Sequence, residues 1–239
     1  MRLRPEHPKR LDLTDYGAPG FYINDMDTVV KPGGIHYKSY RDSLDFAAKS
    51  FAWLEGQGVT ILLELFNEFN GRWNWMGNAS PEEFRKLWRY TFDTFAKEHQ
   101  LSNLLFVLEY SGGATRSEKT PAADYYPGDD AVDIVGFDFY DDDPKNGFVD
   151  VYSQILALGK PIAMTEYGPR DEPKMQWDNM IQVDFTKKHY PEIRFFIRWQ
   201  QNWAIASQKN AGPFMADPWW VHLGQLAADP ACGWKPKQP

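Results

Sequence analysis

The chain has 239 residues, enough to bury one large hydrophobic core, and no segment has the composition of a linker, so we expect a single domain over residues 1–239. Its formal net charge of −7 would repel nucleic acids and anionic membranes, which argues against both as partners and favours a neutral ligand. Aromatic residues make up 16% of the chain, and such rings either fill cores or form stacking surfaces in clefts.

Cysteine and histidine usage gives no sign of a disulfide or a metal. Cys232 is the single cysteine, and no Cys/His group has the spacing of a zinc site. The basic N-terminus is not followed by an apolar segment of secretory length, and no apolar run approaches the roughly 20 residues that span a bilayer. We therefore predict no cofactor, no metal and no membrane partner, and the compartment stays open.

The first half of the chain predicts a loop, two helices and one strand. Residues 1–36 are rich in Pro, Gly and Asp and offer at most one short extended piece. Apolar residues recur at helical spacing over 38–55, and the apolar run at 58–67 then predicts a buried strand. Ser80-Pro81-Glu82-Glu83 is a capping box with proline at the first helical position, so we expect a helix from there to about His99.

The second half predicts strands that alternate with helices. The expected strands are 103–110, 132–140, 161–167 and 193–199, and the expected helices lie near 149–158, 174–189 and 219–228. A loop of about 20 residues separates the first two of these strands. Because the strands are mostly apolar, they fit a parallel sheet that is covered on both faces or closed into a barrel.

The strand count falls short of a closed (β/α) barrel. A complete barrel has eight strands, whereas five are readable in this chain. Either the chain begins partway round a barrel and leaves edges open to pairing with another chain, or residues 1–36 contain strands that their pattern does not show. We predict an α/β fold, an incomplete (β/α) TIM-type barrel, with polar and aromatic residues at the carboxyl ends of its strands.

The strand at 58–67 runs directly into a polar and aromatic stretch. Glu68 follows this strand with Asn67 before it, and Trp73 and Trp75 come shortly after. A carboxyl group can donate a proton, an amide can hydrogen-bond a hydroxyl, and an indole face can stack on a sugar ring. The stretch indicates a carbohydrate site with Glu68 as acid catalyst, although a surface glutamate at a strand end would have the same spacing.

Three segments, in this order, resemble family 26 of the glycoside hydrolases, whose best-known members are β-mannanases. EFNGRWNWMG at 68–77 resembles the family's acid/base motif. YYPGDD at 125–130, with VDIVG at 132–136, Asp138 and Tyr140, resembles its sixth-strand segment, and KPIAMTEYG at 160–168 resembles its nucleophile strand. The resemblance implies a (β/α)₈ fold and a retaining endo-β-1,4-mannanase, with β-glucan or xylan as alternative substrates.

The resemblance also has departures. Ahead of the acid/base the family usually shows an Arg, a Pro, an aromatic and a His, whereas this chain has Glu64, Leu65, Phe66 and Asn67. Asn67 with Glu68 resembles instead the Asn-Glu pair of the wider clan. The match begins after the family's third strand, which agrees with the low strand count.

By this resemblance, two carboxyl groups act on opposite faces of a sugar. Glu68 is the acid/base that protonates the leaving oxygen, and Glu166 is the nucleophile that attacks the anomeric carbon. Glu109 is the strongest rival, because it lies near the end of strand 103–110 and could replace either carboxylate. If Glu109 is not a catalytic residue, its removal is expected hardly to change the rate of hydrolysis.

Four further residues are implied to bind the substrate. Asn67 would hydrogen-bond the 2-hydroxyl of the sugar, and Tyr140 would fix the rotamer of the nucleophile. Trp73 would stack on a sugar, and Trp199 would form the platform under the ring in the cleaving subsite.

Two interpretations compete with this one. Asp141-Asp142-Asp143 could suggest calcium, but three adjacent carboxylates without the glycine and spacing of a loop site are more typical of a solvated turn. The missing strands also suit a non-catalytic carbohydrate-binding protein or an inactive truncated homologue, and a homo-oligomer could close the open barrel edges.

Overall fold

A computed structural model describes residues 1–3, 20–112, 121–140, 149–169, 177–221 and 225. Within them, six parallel strands form one sheet, and neighbours in the sheet are neighbours in the chain. The strands are β1 Arg2–Leu3, β2 Ile61–Leu65, β3 Leu104–Ser111, β4 Ile134–Tyr140, β5 Ile162–Gly168 and β6 Ile193–Arg198. Sequential parallel order is the topology of a (β/α) barrel, and the sheet is an incomplete one because its edge strands, β1 and β6, are not paired with each other within these ranges.

Helices connect the strands. They are α1 Asp27–Val30, α2 Tyr37–Gly56, α3 Pro81–Asp93, α4 Val149–Leu156, α5 Asn179–His189 and α6 Ala211–Ala216. Helix α3 begins as its capping box predicts, because the side chain of Ser80 accepts a hydrogen bond from the backbone N–H of Glu83 at 3.3 Å. It continues as a π-helical turn over Thr94–Glu98. Among the described helices, none is long and apolar enough to cross a membrane.

The alternation of side chains along the strands gives the sheet two different faces. On β3, Leu104, Phe106 and Leu108 belong to the main hydrophobic core. Phe106 packs edge-on against Phe92 of α3, with ring centroids 4.8 Å apart, so this face is the one that the helices cover. The main core therefore lies between the sheet and its helices.

The opposite face, here called the inner face, changes character along the strands. Near the amino ends Val107, Ile134 and Ala163 form a small separate cluster. Towards the carboxyl ends the same face carries Glu109 and then Ser111 on β3. Asp138 on β4 is paired in register with Ser111 and lies on this face as well. The carboxyl end of the inner face is thus polar, as expected for the active-site end of a barrel.

All five predicted strands are present, with ends shifted by a few residues, and so are the predicted helices at 38–55, 80–99 and 149–158. The predicted helix at 174–189 is shorter, beginning at Asn179, and residues 170–176 lie outside the described ranges. A helix over 219–228 falls largely outside those ranges as well. The described residues of that segment are 219–221, which are not helical, and 225, which is.

The interpretation of residues 1–36 as loop is wrong at two places, β1 and α1. Strand β1 pairs with β2 through only two residues, too few to produce a periodic pattern. Helix α1 is stabilised by tertiary contacts, since Val29 and Val30 are buried and the backbone N–H of Met26 donates to Glu83 at 2.6 Å. Helix α6 was likewise not expected, because Gly212 and Pro213 favour a turn.

We predict that Trp88→Ala lowers the free energy of unfolding by about 3–5 kcal/mol. Trp88 has 0% of its surface exposed, and its Nε1 donates to the carbonyl oxygen of Ala131 at 3.0 Å, so truncation leaves a cavity and an unpaired acceptor. Urea unfolding measures the loss. Trp53, which is 66% exposed on α2, is the matched control, and Trp53→Ala should change stability by less than about 0.5 kcal/mol. Equal losses in the two variants would contradict this description of the core.

Candidate active site

A sharp backbone turn follows β2 and presents Glu68. Phe66 and Glu68 both have left-handed backbone conformations, with φ of 56° and 51°. Each such non-glycine residue costs on the order of 1–3 kcal/mol and persists only where its surroundings impose it. Phe66 is buried in the main core, and Nδ2 of Asn74 donates to the carbonyl oxygens of Asn67 at 3.1 Å and Glu68 at 2.6 Å. The turn is therefore imposed by packing on one side and by hydrogen bonds on the other.

Trp73 folds back over this turn and contacts the side chain of Glu68. Its Nε1 donates to Oε2 of Glu68 at 2.7 Å, which fixes one oxygen of the carboxyl group. Gly71 makes this possible, because a Cβ atom at that position would collide with the indole of Trp73. Trp75, by contrast, is only 3% exposed and belongs to the core, so Trp73 is the indole available to the cleft.

Three polar residues lie in one row across the neighbouring strands. Ser111 on β3 is paired in register with Asp138 on β4, and Asp138 is paired with Glu166 on β5. The backbone N–H of Gly112 donates to Oδ1 of Asp138 at 2.7 Å. The hydroxyl of Ser111 lies 3.4 Å from both Oε1 of Glu68 and Oδ2 of Asp138, so this row leads from one predicted catalytic glutamate to the other.

The structure brings the two predicted catalytic glutamates together. One carboxylate oxygen each of Glu68, Asp138 and Glu166 lies within 4.8 Å of the others. Retaining glycosidases hold their two carboxyl groups about 5–5.5 Å apart and inverting ones about 6.5–9.5 Å apart. Glu166 is 5% exposed and Glu68 is partly exposed, so the pair lies in a shielded but accessible position. This geometry suits proton donation by one group and nucleophilic attack by the other.

The same three carboxylates are close enough to share a cation. Burial, followed by the charges of Glu109 and Glu68 and a hydrogen bond with Glu68, raises the pKa of Asp138 well above the usual value, so a cation would have to displace its proton. The hydrogen bond from Gly112 opposes this shift only in part. A carboxyl group that favours its protonated form binds a metal weakly. The absence of a metal stays a prediction, and Asp141-Asp142-Asp143 lie outside the described residues.

A layer of buried polar side chains supports the turn from below. Nδ2 of Asn67 donates to Oε1 of Glu64 at 2.9 Å and to Oε2 of Glu109 at 2.8 Å. The backbone N–H of Glu68 donates to the same Oε2 of Glu109 at 2.9 Å. Glu109 lies on the inner face but is 0% exposed, and its Oε2 is engaged by these two donors, so it is less accessible to a substrate than the partly exposed Glu68. The donor nitrogen of Asn67 is engaged by two carboxylates, and its contact with a sugar hydroxyl stays a prediction.

The two remaining predicted residues flank β5, the strand of Glu166. Tyr140 ends β4 and is paired with Gly168, two residues beyond Glu166. Gly168 allows both Tyr140 and Trp203 to approach, because a Cβ atom there would collide with their rings. Trp199 follows β6 directly, and its backbone N–H donates to the carbonyl oxygen of Tyr167 at 3.0 Å. Both residues are partly buried at the carboxyl end of the sheet, as predicted, and their contacts with substrate stay predictions.

Three residues of the site, Ser111, Asp138 and Asn74, were not predicted as site residues from the sequence. Asp138 carried a usable signal, since it is the single charge in the otherwise apolar strand IVGFDFY. Asn74 lies within the motif at 68–77, whereas Ser111 carried no signal, because small polar residues are common wherever strands and turns end.

Comparisons with known proteins agree on one family. The sequence profile of Glycosyl hydrolase family 26 matches residues 17–225. A mannan endo-1,4-beta-mannosidase of Bacillus subtilis strain 168 is 34% identical over 185 residues, which are 72% of this chain and 48% of that protein. Mannan endo-1,4-beta-mannosidase A and B of Caldalkalibacillus mannanilyticus is 32% identical over 197 residues, 79% of this chain and 37% of that protein. The chain thus spans less than half the length of these two curated relatives.

Solved structures give the same picture for the fold. Bacillus subtilis mannanase BCman is 26% identical and superimposes with a TM-score of 0.75, over 88% of this chain and 61% of that one. Bacillus subtilis mannanase man26 is 22% identical with a TM-score of 0.76, over 98% of this chain and 76% of that one. Both likenesses agree with the incomplete (β/α) barrel described above.

We predict that Asp138→Asn stabilises the protein more at about pH 7 than at about pH 4. An aspartate whose pKa is raised by folding binds its proton more tightly in the folded state, so stability falls as the pH rises from the unfolded pKa towards the folded one. Asparagine cannot ionise and keeps an acceptor for the N–H of Gly112. Urea unfolding at both pH values measures the difference. Asp138→Ala, which lacks that acceptor, should lose stability at both, and an Asn variant with the same effect at both pH values would contradict the prediction.

Proposed function

The chain belongs to Glycosyl hydrolase family 26, and on this premise we propose that it is a retaining endo-β-1,4-mannanase. The observation that carries the proposal is the approach of Glu68 and Glu166, whose nearest oxygens lie within 4.8 Å on the rim of an incomplete barrel. The names of its relatives support mannan as the substrate. The formal charge of −7 is compatible with a neutral polysaccharide.

The first proposed step forms a covalent glycosyl-enzyme. A carboxylate oxygen of Glu166 attacks the anomeric carbon, and the bond from that carbon to the leaving oxygen breaks. Glu68 gives its proton to the leaving oxygen, which departs as a neutral hydroxyl. Charge on Glu68 grows as the proton leaves, and the N–H of Trp73, which donates to it at 2.7 Å, is placed to stabilise that charge.

The second proposed step releases the sugar. Glu68, now a carboxylate, takes a proton from a water molecule, whose oxygen attacks the anomeric carbon and displaces Glu166. Two inversions at the same carbon give net retention of configuration. After the second step Glu68 is protonated again and Glu166 is ionised again, so the site is ready for another cycle.

Asp138 suits a supporting part in this cycle. It lies in register with Glu166 and hydrogen-bonds with Glu68, and it favours the neutral form because it is 2% exposed. In its neutral form, Asp138 adds no negative charge beside Glu68 and Glu166. Each of these two glutamates changes its charge during the cycle. Trp73, Tyr140 and Trp199 complete the proposed substrate contacts, as part of a surface that combines indole and phenol rings with polar groups.

One observation favours a second candidate, carbohydrate binding without hydrolysis. The described sheet has open edges at β1 and β6, so part of the wall that a complete barrel would place around the sugar is not formed by these residues. Such a protein would bind oligosaccharides but release no reducing ends. If the protein is a hydrolase, β-glucan and xylan are the alternative substrates.

We expect reducing sugar to be released from mannan and glucomannan faster than from lichenan or xylan. Glu166→Ala should lower this activity by at least about 10⁴-fold, because it removes the attacking atom, while its urea unfolding midpoint stays near that of the wild type. A wild type that binds mannan but releases no reducing sugar would support the binding protein instead. Faster release from xylan or lichenan would reassign the substrate.

We expect Glu68→Ala to lower kcat/KM on mannan by about 10²–10⁴-fold and on an aryl mannoside with a good leaving group by less than about 10-fold. A good leaving group departs without a proton, so only the polymer needs the acid. The control is Glu192→Ala, which removes an exposed glutamate just before β6 and should leave both substrates unchanged. Equal losses on both substrates would argue against Glu68 as the acid.

A further inference from the structure

We propose that Glu109 is the positioning residue of the acid/base, holding the backbone of Glu68 in the one conformation that delivers its carboxyl group to the cleft. The proposal rests on the proposed function of Glu68. Its basis is one atom, Oε2 of Glu109, which accepts from the backbone N–H of Glu68 at 2.9 Å and from Nδ2 of Asn67 at 2.8 Å. Glu109 would act through Glu68 and would not touch the substrate.

The turn needs such a partner because the strand ladder ends before it. Strand β2 is paired with β3 only as far as Leu65, opposite Leu108. Glu68 lies three residues further on, in a left-handed conformation, and its N–H bonds to a side chain of β3. A hydrogen bond to a carboxylate is about twice as strong as one to a neutral acceptor. Glu109 thus extends the connection between the two strands beyond the regular ladder.

Asn67 strengthens the same connection from the side. Its single amide nitrogen donates to Glu109 on β3 and to Glu64 on β2, which are 0% and 5% exposed. Two buried carboxylates would repel each other, and an amide between them offers each a donor. Residues 64, 67 and 109 therefore form one bridge beneath the turn. At two of these positions, Glu64 and Asn67, the chain departs from the Arg and His usual in its family.

Burial and hydrogen bonding together distinguish Glu109 from Glu68. Glu109 is 0% exposed and its Oε2 faces the backbone of residue 68, whereas Glu68 is partly exposed and contacts Trp73 in the cleft. A small shift of a catalytic group can cost about 10²-fold in rate. Loss of Glu109 should therefore weaken proton transfer to the leaving oxygen while the nucleophile on β5 stays in place. This replaces the expectation from sequence that removal of a non-catalytic Glu109 hardly changes the rate.

The test compares two substrates in the full chain. Glu109→Ala should lower kcat/KM on mannan by about 10²-fold and on an aryl mannoside with a good leaving group by less than about 5-fold, with KM nearly unchanged. Glu109→Gln keeps the shape and one acceptor for the N–H of Glu68, so it should recover at least about 10-fold of the loss on mannan. If the alanine variant does not fold, the glutamine variant carries the test, with a loss of about 10-fold on mannan and under about 3-fold on the aryl substrate.

Asp133→Ala is the matched control. Asp133 also accepts a backbone N–H from β3, that of Phe106 at 2.7 Å, but at the amino end of the sheet, away from the cleft. Its removal should lower stability without separating the two substrates. The positioning role alone would be overturned in either of two cases, provided that the wild type is active. In the first, the Glu109 variants lose equal activity on mannan and the aryl mannoside; in the second, they lose none on either. A wild type without activity on any β-glycan would overturn the proposed function and this role with it.

Discussion

The site depends on a backbone turn that is unfavourable by itself. Left-handed conformations at Phe66 and Glu68 are held because Phe66 is buried in the core and because Asn74 and Glu109 hydrogen-bond the backbone around Glu68. The contacts of the cleft follow from this turn. Trp73 can reach the carboxyl group of Glu68, and that group can meet Glu166 across the row formed by the neighbouring strands. Strain is thus stored where the proposed chemistry needs a fixed direction.

The inner face of the sheet gathers several buried acids, which are made tolerable in two ways. Glu64 and Glu109 share the amide of Asn67, and Glu109 also accepts the N–H of residue 68. Asp138 accepts the N–H of Gly112 and favours its neutral form. Buried carboxylates are costly unless they are hydrogen-bonded or protonated, and both solutions occur within one side of the sheet.

The open edges of the sheet explain several exposed apolar side chains. Leu62, Leu105 and Ile197 lie on the strands and are 38%, 37% and 50% exposed. On β2 and β3 these positions alternate with the helix-facing residues, so they belong to the inner face. In a complete barrel such positions are filled by layers of side chains from all strands. Their exposure is therefore a consequence of the incomplete barrel in the described part of the chain.

Local chemistry was enough to predict much of this protein from its sequence. The capping box at Ser80 sets the start of α3, the apolar runs set β2 to β6, and the residues around Glu68 and Glu166 carried the resemblance to family 26. The tertiary structure alone decided the parts that depend on partners far along the chain. Strand β1 is defined by its pairing with β2. Asp138 becomes part of the site because it is paired in register with Glu166. Glu109 accepts a hydrogen bond from Glu68, which lies 41 positions earlier in the chain. Spacing along the sequence reports which face a residue occupies, whereas hydrogen bonds and pKa shifts depend on distances that exist only once the strands are side by side.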